Sequence, residues 1–63
     1  MMIGEKLAAQ RTKLDWTQQE LADKLFVTRQ TISKWELDKR QPDLDDLALL
    51  CQLLHLDVGK LLE

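Results

Sequence analysis

Apolar residues return every three or four positions along most of this chain. In "LADKLFVTRQTISKW" (residues 21–35), Leu21, Ala22 and Leu25 form one short stripe, and Ile32 and Trp35 another. Between them the rhythm breaks at Leu25-Phe26-Val27. The spacing resumes in Leu44, Leu47, Leu50, Cys51 and Leu54, and an opening stretch carries it in Ile3, Leu7 and Leu14. This is helical periodicity, and no segment alternates as a strand does. Start signals divide the pattern. Thr17 and Glu20 form a capping box, with Trp16 and Leu21 as its hydrophobic staple. Thr28 repeats that grammar between Val27 and Ile32, and Asp57 repeats it between Leu56 and Leu61. Asp43 supplies a further cap after Pro42, with Asp45 and Asp46 favourable in the first turn. Five helices are predicted, at about 2–14, 17–25, 28–37, 43–54 and 57–62. Their connections are too short for separate units, so an all-α bundle forming a single domain over 1–63 is expected.

Composition narrows the class. Sixty-three residues, 44% of them hydrophobic, sit near the lower limit for a chain that folds alone. No apolar run reaches membrane-spanning length, so no membrane partner is expected. The N-terminus lacks the apolar core of a signal peptide. A single cysteine excludes an internal disulfide, and no Cys/His spacing suits a metal. A reducing, intracellular setting is the default reading. The net charge of −2 hides a polarity. Residues 1–40 hold eight basic and six acidic groups, a local excess of +2. Residues 41–63 hold Lys60 against Asp43, Asp45, Asp46, Asp57 and Glu63, a local −4. Local field matters more to a polyanion than the total does.

That asymmetry turns attention to the third helix. On a wheel of about 100° per residue, Thr28, Ile32 and Trp35 fall on the core side. Gln30, Ser33, Lys34 and Leu37 fall opposite, flanked by Arg29. Arg pairs with guanine and Gln with adenine through two hydrogen bonds each, Lys suits guanine or phosphate, and Ser adapts to either base. Two short helices joined by a tight turn, the second with such a face, describe a helix-turn-helix over about 17–37. The same four side chains would also suit an ordinary solvated helix.

The segment "TQQELADKLFVTRQTISKWELDKRQPDLDDLALLCQLL", with "IGEKLAAQR" before it, closely resembles the Cro and phage-repressor helix-turn-helix family, the xenobiotic-response-element type. The resemblance spans essentially the whole chain. It implies a lambda-repressor-like bundle and a small prokaryotic or phage transcriptional regulator, more commonly a repressor, in the cytoplasm and on the nucleoid when bound. It places Arg29, Gln30, Ser33 and Lys34 at base edges of double-stranded DNA. It also sets Gln18, Thr28, Thr31, Lys39 and Arg40 against the backbone. Arg11 matches a family arginine that either pairs with an acid such as Glu36 or touches DNA. A second reading keeps the fold but makes it a protein-interaction module, antitoxin-like or adaptor. An enzyme is not expected: one His, one Cys and no nucleophile–base pair or phosphate loop leave no catalytic residues to name, and no cofactor. Ending directly after helix 5, the chain reads as a small regulator or as the first domain of a longer one.

Some positions depart from the family pattern. Glycine or asparagine is common where this chain has Asp15, Phe26, Asp38 and His55, while Gly4 and Gly59 lie elsewhere. Phe26 is the costly replacement if its backbone is left-handed, and its ring is expected to cover nearby apolar surface. Leu37 replaces a residue that often holds a phosphate. Trp16 and Trp35 are expected in the core, and so is Cys51, with Leu44, Leu47, Leu50 and Leu54. Leu49 points away from that core and Leu53 lies at its edge. With Leu62 they suggest a homodimer interface, pairing two recognition helices on a pseudo-palindromic operator.

Overall fold

The computed structural model describes residues 2–63, so Met1 of the expected 1–63 domain lies outside it. Five helices follow in order: α1 (Gly4–Lys13), α2 (Gln18–Leu25), α3 (Arg29–Glu36), α4 (Leu44–Leu54) and α5 (Val58–Leu61). The described residues form no strand. Every predicted helix is present, shorter than expected by a residue or a few at its ends.

The caps explain why the helices begin where they do. Thr17 Oγ1 accepts from Glu20 N at 3.0 Å, and Glu20 Oε1 accepts in return from Thr17 N at 2.9 Å. That return bond holds the Glu20 carboxyl below its ordinary pKa. Thr28 caps α3 through Thr31 N, Asp43 caps α4 through Asp46 N, and Asp57 caps α5 through Gly59 N. Each places a side-chain oxygen on a first-turn amide, and Thr31 N shares its hydrogen with the Thr28 carbonyl at 3.0 Å.

The ends are as well defined as the starts. Asp15, Phe26, Asp38 and His55 all have positive φ, between 55° and 61°. The chain therefore turns out of α1, α2, α3 and α4 through left-handed residues, none of them glycine. Asp and His accept this region with modest strain. Phe26 does not, and its ring is 96% exposed. The expectation that the ring shields apolar surface is wrong: with a φ of 57° the backbone aims this side chain at solvent. Phe26→Gly should therefore stabilise the fold by about 1 kcal/mol. A rise in the urea midpoint checks this; a fall would mean that the ring is stabilising.

α3 packs against α1 and α2, and α4 closes the other side of that pair. The core comprises Ile3, Leu7, Leu21, Ala22, Leu25, Ile32, Trp35, Leu47, Leu50, Cys51, Leu54 and Leu61. Burial pushes the Cys51 thiol pKa up, and the nearby charge of Asp57 adds to the effect. Trp16 is half-buried against this core. Leu44 is not part of it, at 83% exposed. Its angle on the wheel is a core angle, but it is the first residue of α4, and an angle alone does not bring a neighbour beside it. Thr28 likewise is exposed as a cap, rather than turned to the core side with Ile32.

Contacts from three of its residues hold the N-terminal helix in place. Gly4 N donates to Asp38 Oδ1 at 3.0 Å, so the turn after α3 caps the start of α1 from 34 residues away. At the other side of the fold, Gln10 Nε2 donates to Leu54 O at 2.7 Å, and Lys6 Nζ reaches the last carbonyls of the chain, 3.0 Å from Glu63 O. α1 thus satisfies carbonyls at the ends of α4 and α5.

Candidate nucleic-acid interface

Helix α3 presents its polar side outward. Arg29, Gln30 and Lys34 are exposed and Ser33 is half-buried, while Ile32 and Trp35 on the opposite side are buried. The wheel assigned these faces correctly because burying Ile32 and Trp35 together leaves the helix one rotation. All four candidate base-reading residues therefore lie along one strip about two turns long.

Behind the strip lies a network that holds it to the other helices. Glu36, near the end of α3, accepts from Arg11 Nε at 2.6 Å and from Arg11 Nη2 at 3.1 Å. Arg11 also donates to Trp16 O at 2.7 Å. Their side chains are only 16% and 7% exposed for Arg11 and Glu36 respectively, so this is a largely desolvated, two-bond pair. It resolves the open reading of Arg11 in favour of Glu36. Gln18 Nε2 donates to the same carboxylate at 3.0 Å, and Gln18 Oε1 lies 3.4 Å from Arg29 Nη1. With its amide so engaged, Gln18 offers an outside anion chiefly its backbone N–H at the start of α2.

The remaining candidates flank the strip. Thr28 Oγ1 and Thr31 Oγ1 are 3.0 Å apart, so one of their two hydroxyl protons is committed to the pair and one is left for another acceptor. Lys39 and Arg40 are exposed, and their amides both bond Lys34 O, at 2.9 and 3.4 Å. That fold-back brings the backbone of Lys39 and Arg40 to the C-terminal end of α3, where cations complement the helix dipole. The sequence reading missed Asp38 and Gly4 as one unit. Asp38 appeared only as a turn residue and an adverse charge, but its carboxylate is half-buried and faces Gly4 N.

Comparison with known proteins identifies the family. The family described as "Helix-turn-helix" matches residues 7–61. The chain belongs to that family, in its xenobiotic-response-element type. Over 62 residues it is 40% identical to the SPbeta prophage-derived uncharacterized HTH-type transcriptional regulator YonR of Bacillus subtilis, covering 98% of this chain and 57% of that protein. It is 37% identical to the HTH-type transcriptional regulator ImmR of the same organism and to the HTH-type transcriptional activator BcrR of Enterococcus faecalis. These alignments cover 98% of this chain but 49% and 30% of those proteins. The chain thus spans about a third to just over half the length of these relatives. No solved structure matches it significantly. Among the described residues, no helix is long and apolar enough to cross a membrane.

Proposed function

We propose that this helix-turn-helix chain is a sequence-specific, double-stranded DNA-binding domain of a transcriptional regulator. The observation that carries this is the exposed α3 strip of Arg29, Gln30, Ser33 and Lys34 over a buried Ile32–Trp35 side. In this reading α3 enters the major groove and its side chains meet base edges. The first amides of α2, the Thr28–Thr31 pair and Lys39 with Arg40 hold phosphates on either side. Because one relative is named an activator, the proposed activity is occupancy of an operator, by which such a domain can repress or activate.

Two substitutions separate the roles. Gln30→Ala should cost about 1–3 kcal/mol at one base pair and relax the choice of base there. Lys39→Ala should weaken binding to all sequences alike and flatten the salt dependence by about one unit of slope. Affinities for duplexes enriched by the wild-type protein, measured at several salt concentrations, check both. Loss spread evenly over all base pairs for Gln30→Ala would count against the reading.

The proposed binding form is a two-fold dimer through the C-terminal helices. Leu49 and Leu62 are 45% and 48% exposed, and Leu53 is half-buried. Such pairing would set two α3 helices about 34 Å apart on a pseudo-palindrome, with the acidic C-terminal third turned from the phosphates. Equilibrium sedimentation should show a dimer that Leu49→Lys dissociates. A monomer at high concentration, unchanged by that substitution, would overturn it.

A further inference from the structure

Arg29 and Glu36 open and close α3. Seven residues apart, they return to within about 20° of one direction on a wheel of about 100° per residue. At about 1.5 Å per residue they are separated by about 10 Å along the axis. One side chain from another helix, Gln18 at the start of α2, touches both. Its Nε2 donates to Glu36 Oε1 at 3.0 Å, and its Oε1 accepts from Arg29 Nη1 at 3.4 Å.

The chemistry of the three groups fixes the direction of this bridge. A carboxylate accepts and does not donate, while a guanidinium donates and does not accept. A primary amide does both, so with its NH2 on Glu36 its oxygen faces Arg29. Lysine or glutamate at position 18 would satisfy only one of the two neighbours. The Glu36 carboxylate is itself held, because Arg11 donates to both of its oxygens, at 2.6 and 3.1 Å, and its side chain is 7% exposed. Gln18 is half-buried and Arg29 is exposed. The guanidinium on the surface is therefore tied, through one amide, to a pair that solvent hardly reaches.

Such a tie bears on base choice. An arginine on an open helix surface samples many rotamers, and few of them set two parallel N–H groups against guanine. Engaging one N–H before DNA arrives narrows that choice, and the remaining N–H groups stay available to a base. We infer that Glu36, acting through Gln18, positions the Arg29 guanidinium and sets how strictly Arg29 chooses its base. This rests on the DNA-binding reading proposed above. It makes Glu36 a positioning residue that touches no DNA.

The test compares motifs selected from a random duplex library. Arg29→Ala locates the pair that Arg29 reads, as the position where the wild-type preference disappears. Gln18→Leu keeps the first amide of α2 and the Arg11–Glu36 pair, but removes the bridge. It should lower the preference at that pair about fivefold, the worth of one hydrogen bond. The preference at the pair lost in Gln30→Ala should not change. Arg11→Met combined with Glu36→Gln keeps Gln18 but gives it a neighbour that donates as well as accepts. The Gln18 amide is then free to turn over, and the preference should fall at the same pair by a smaller factor. Circular dichroism of both variants checks that the fold is kept. An equal loss on every sequence for Gln18→Leu, with all base preferences intact, would overturn the inference and leave DNA binding standing. A fall for Gln18→Leu with none for the double variant would also overturn it, since Glu36 would then have no part in holding Arg29. No enriched motif for the wild-type protein would overturn both the inference and the reading beneath it.

Discussion

Arg11→Met should destabilise the fold by roughly 3 kcal/mol, the low end of what removing one partner of a buried pair costs. The reason is what stays behind. Glu36 keeps a carboxylate whose side chain is 7% exposed, and it loses two of its three hydrogen-bond donors. Trp16 O loses its Arg11 donor as well. A domain of this size has a total stability of roughly 0.05–0.15 kcal/mol per residue, so the loss is a large share of the whole. Adding Glu36→Gln to Arg11→Met should restore much of it, because a neutral amide needs no cation beside it. Urea denaturation of both variants checks the pair of expectations. A cost below about 1 kcal/mol for Arg11→Met would mean that the pair behaves as a surface ion pair.

Gly4→Ala should cost about 1–3 kcal/mol, although Ala is the better helix former by about 1 kcal/mol. The opposing effect is steric. A Cβ at position 4 would run into the carbonyl of Glu36 and lie 2.7 Å from Trp35 O. Both obstacles are backbone atoms at the end of α3, so no rotamer change relieves them. Either α1 tilts away, breaking the Gly4–Asp38 bond, or α3 shifts and carries its outward strip with it. Gly59→Ala is the control, since its Cβ meets only the Asp57 side chain at 3.3 Å. Thermal unfolding should show a lower midpoint for Gly4→Ala and little change for Gly59→Ala. Equal effects would show that the close approach of α1 to α3 is not a constraint.

What the sequence revealed and what it hid divide along the range of the interaction. Helix starts were readable because a cap links residues two or three positions apart. The turn positions were readable because Asp15, Phe26, Asp38 and His55 follow at once where the helical pattern ends. The outward face of α3 followed from the same local periodicity. Gly4 against Glu36, and Asp38 capping α1, join segments more than thirty residues apart, and no local pattern announces them. Leu44 shows the limit of a helical wheel, which gives the angle of a side chain but not whether a neighbour lies beside it. Phe26 shows another: a side chain at a left-handed position follows its backbone, whatever its hydrophobicity. Of the candidate site, the direction of Arg29, Gln30 and Lys34 was in the sequence. The coupling of Gln18 to Glu36 was not, because it depends on how α1, α2 and α3 converge.

If the outward strip of α3 reads base sequence in double-stranded DNA, selection from a random duplex library at low salt should enrich a single motif. Its two half-sites should lie about one helical turn apart. Recovery of an unenriched library, with every sequence bound alike or none bound, would contradict base reading by α3.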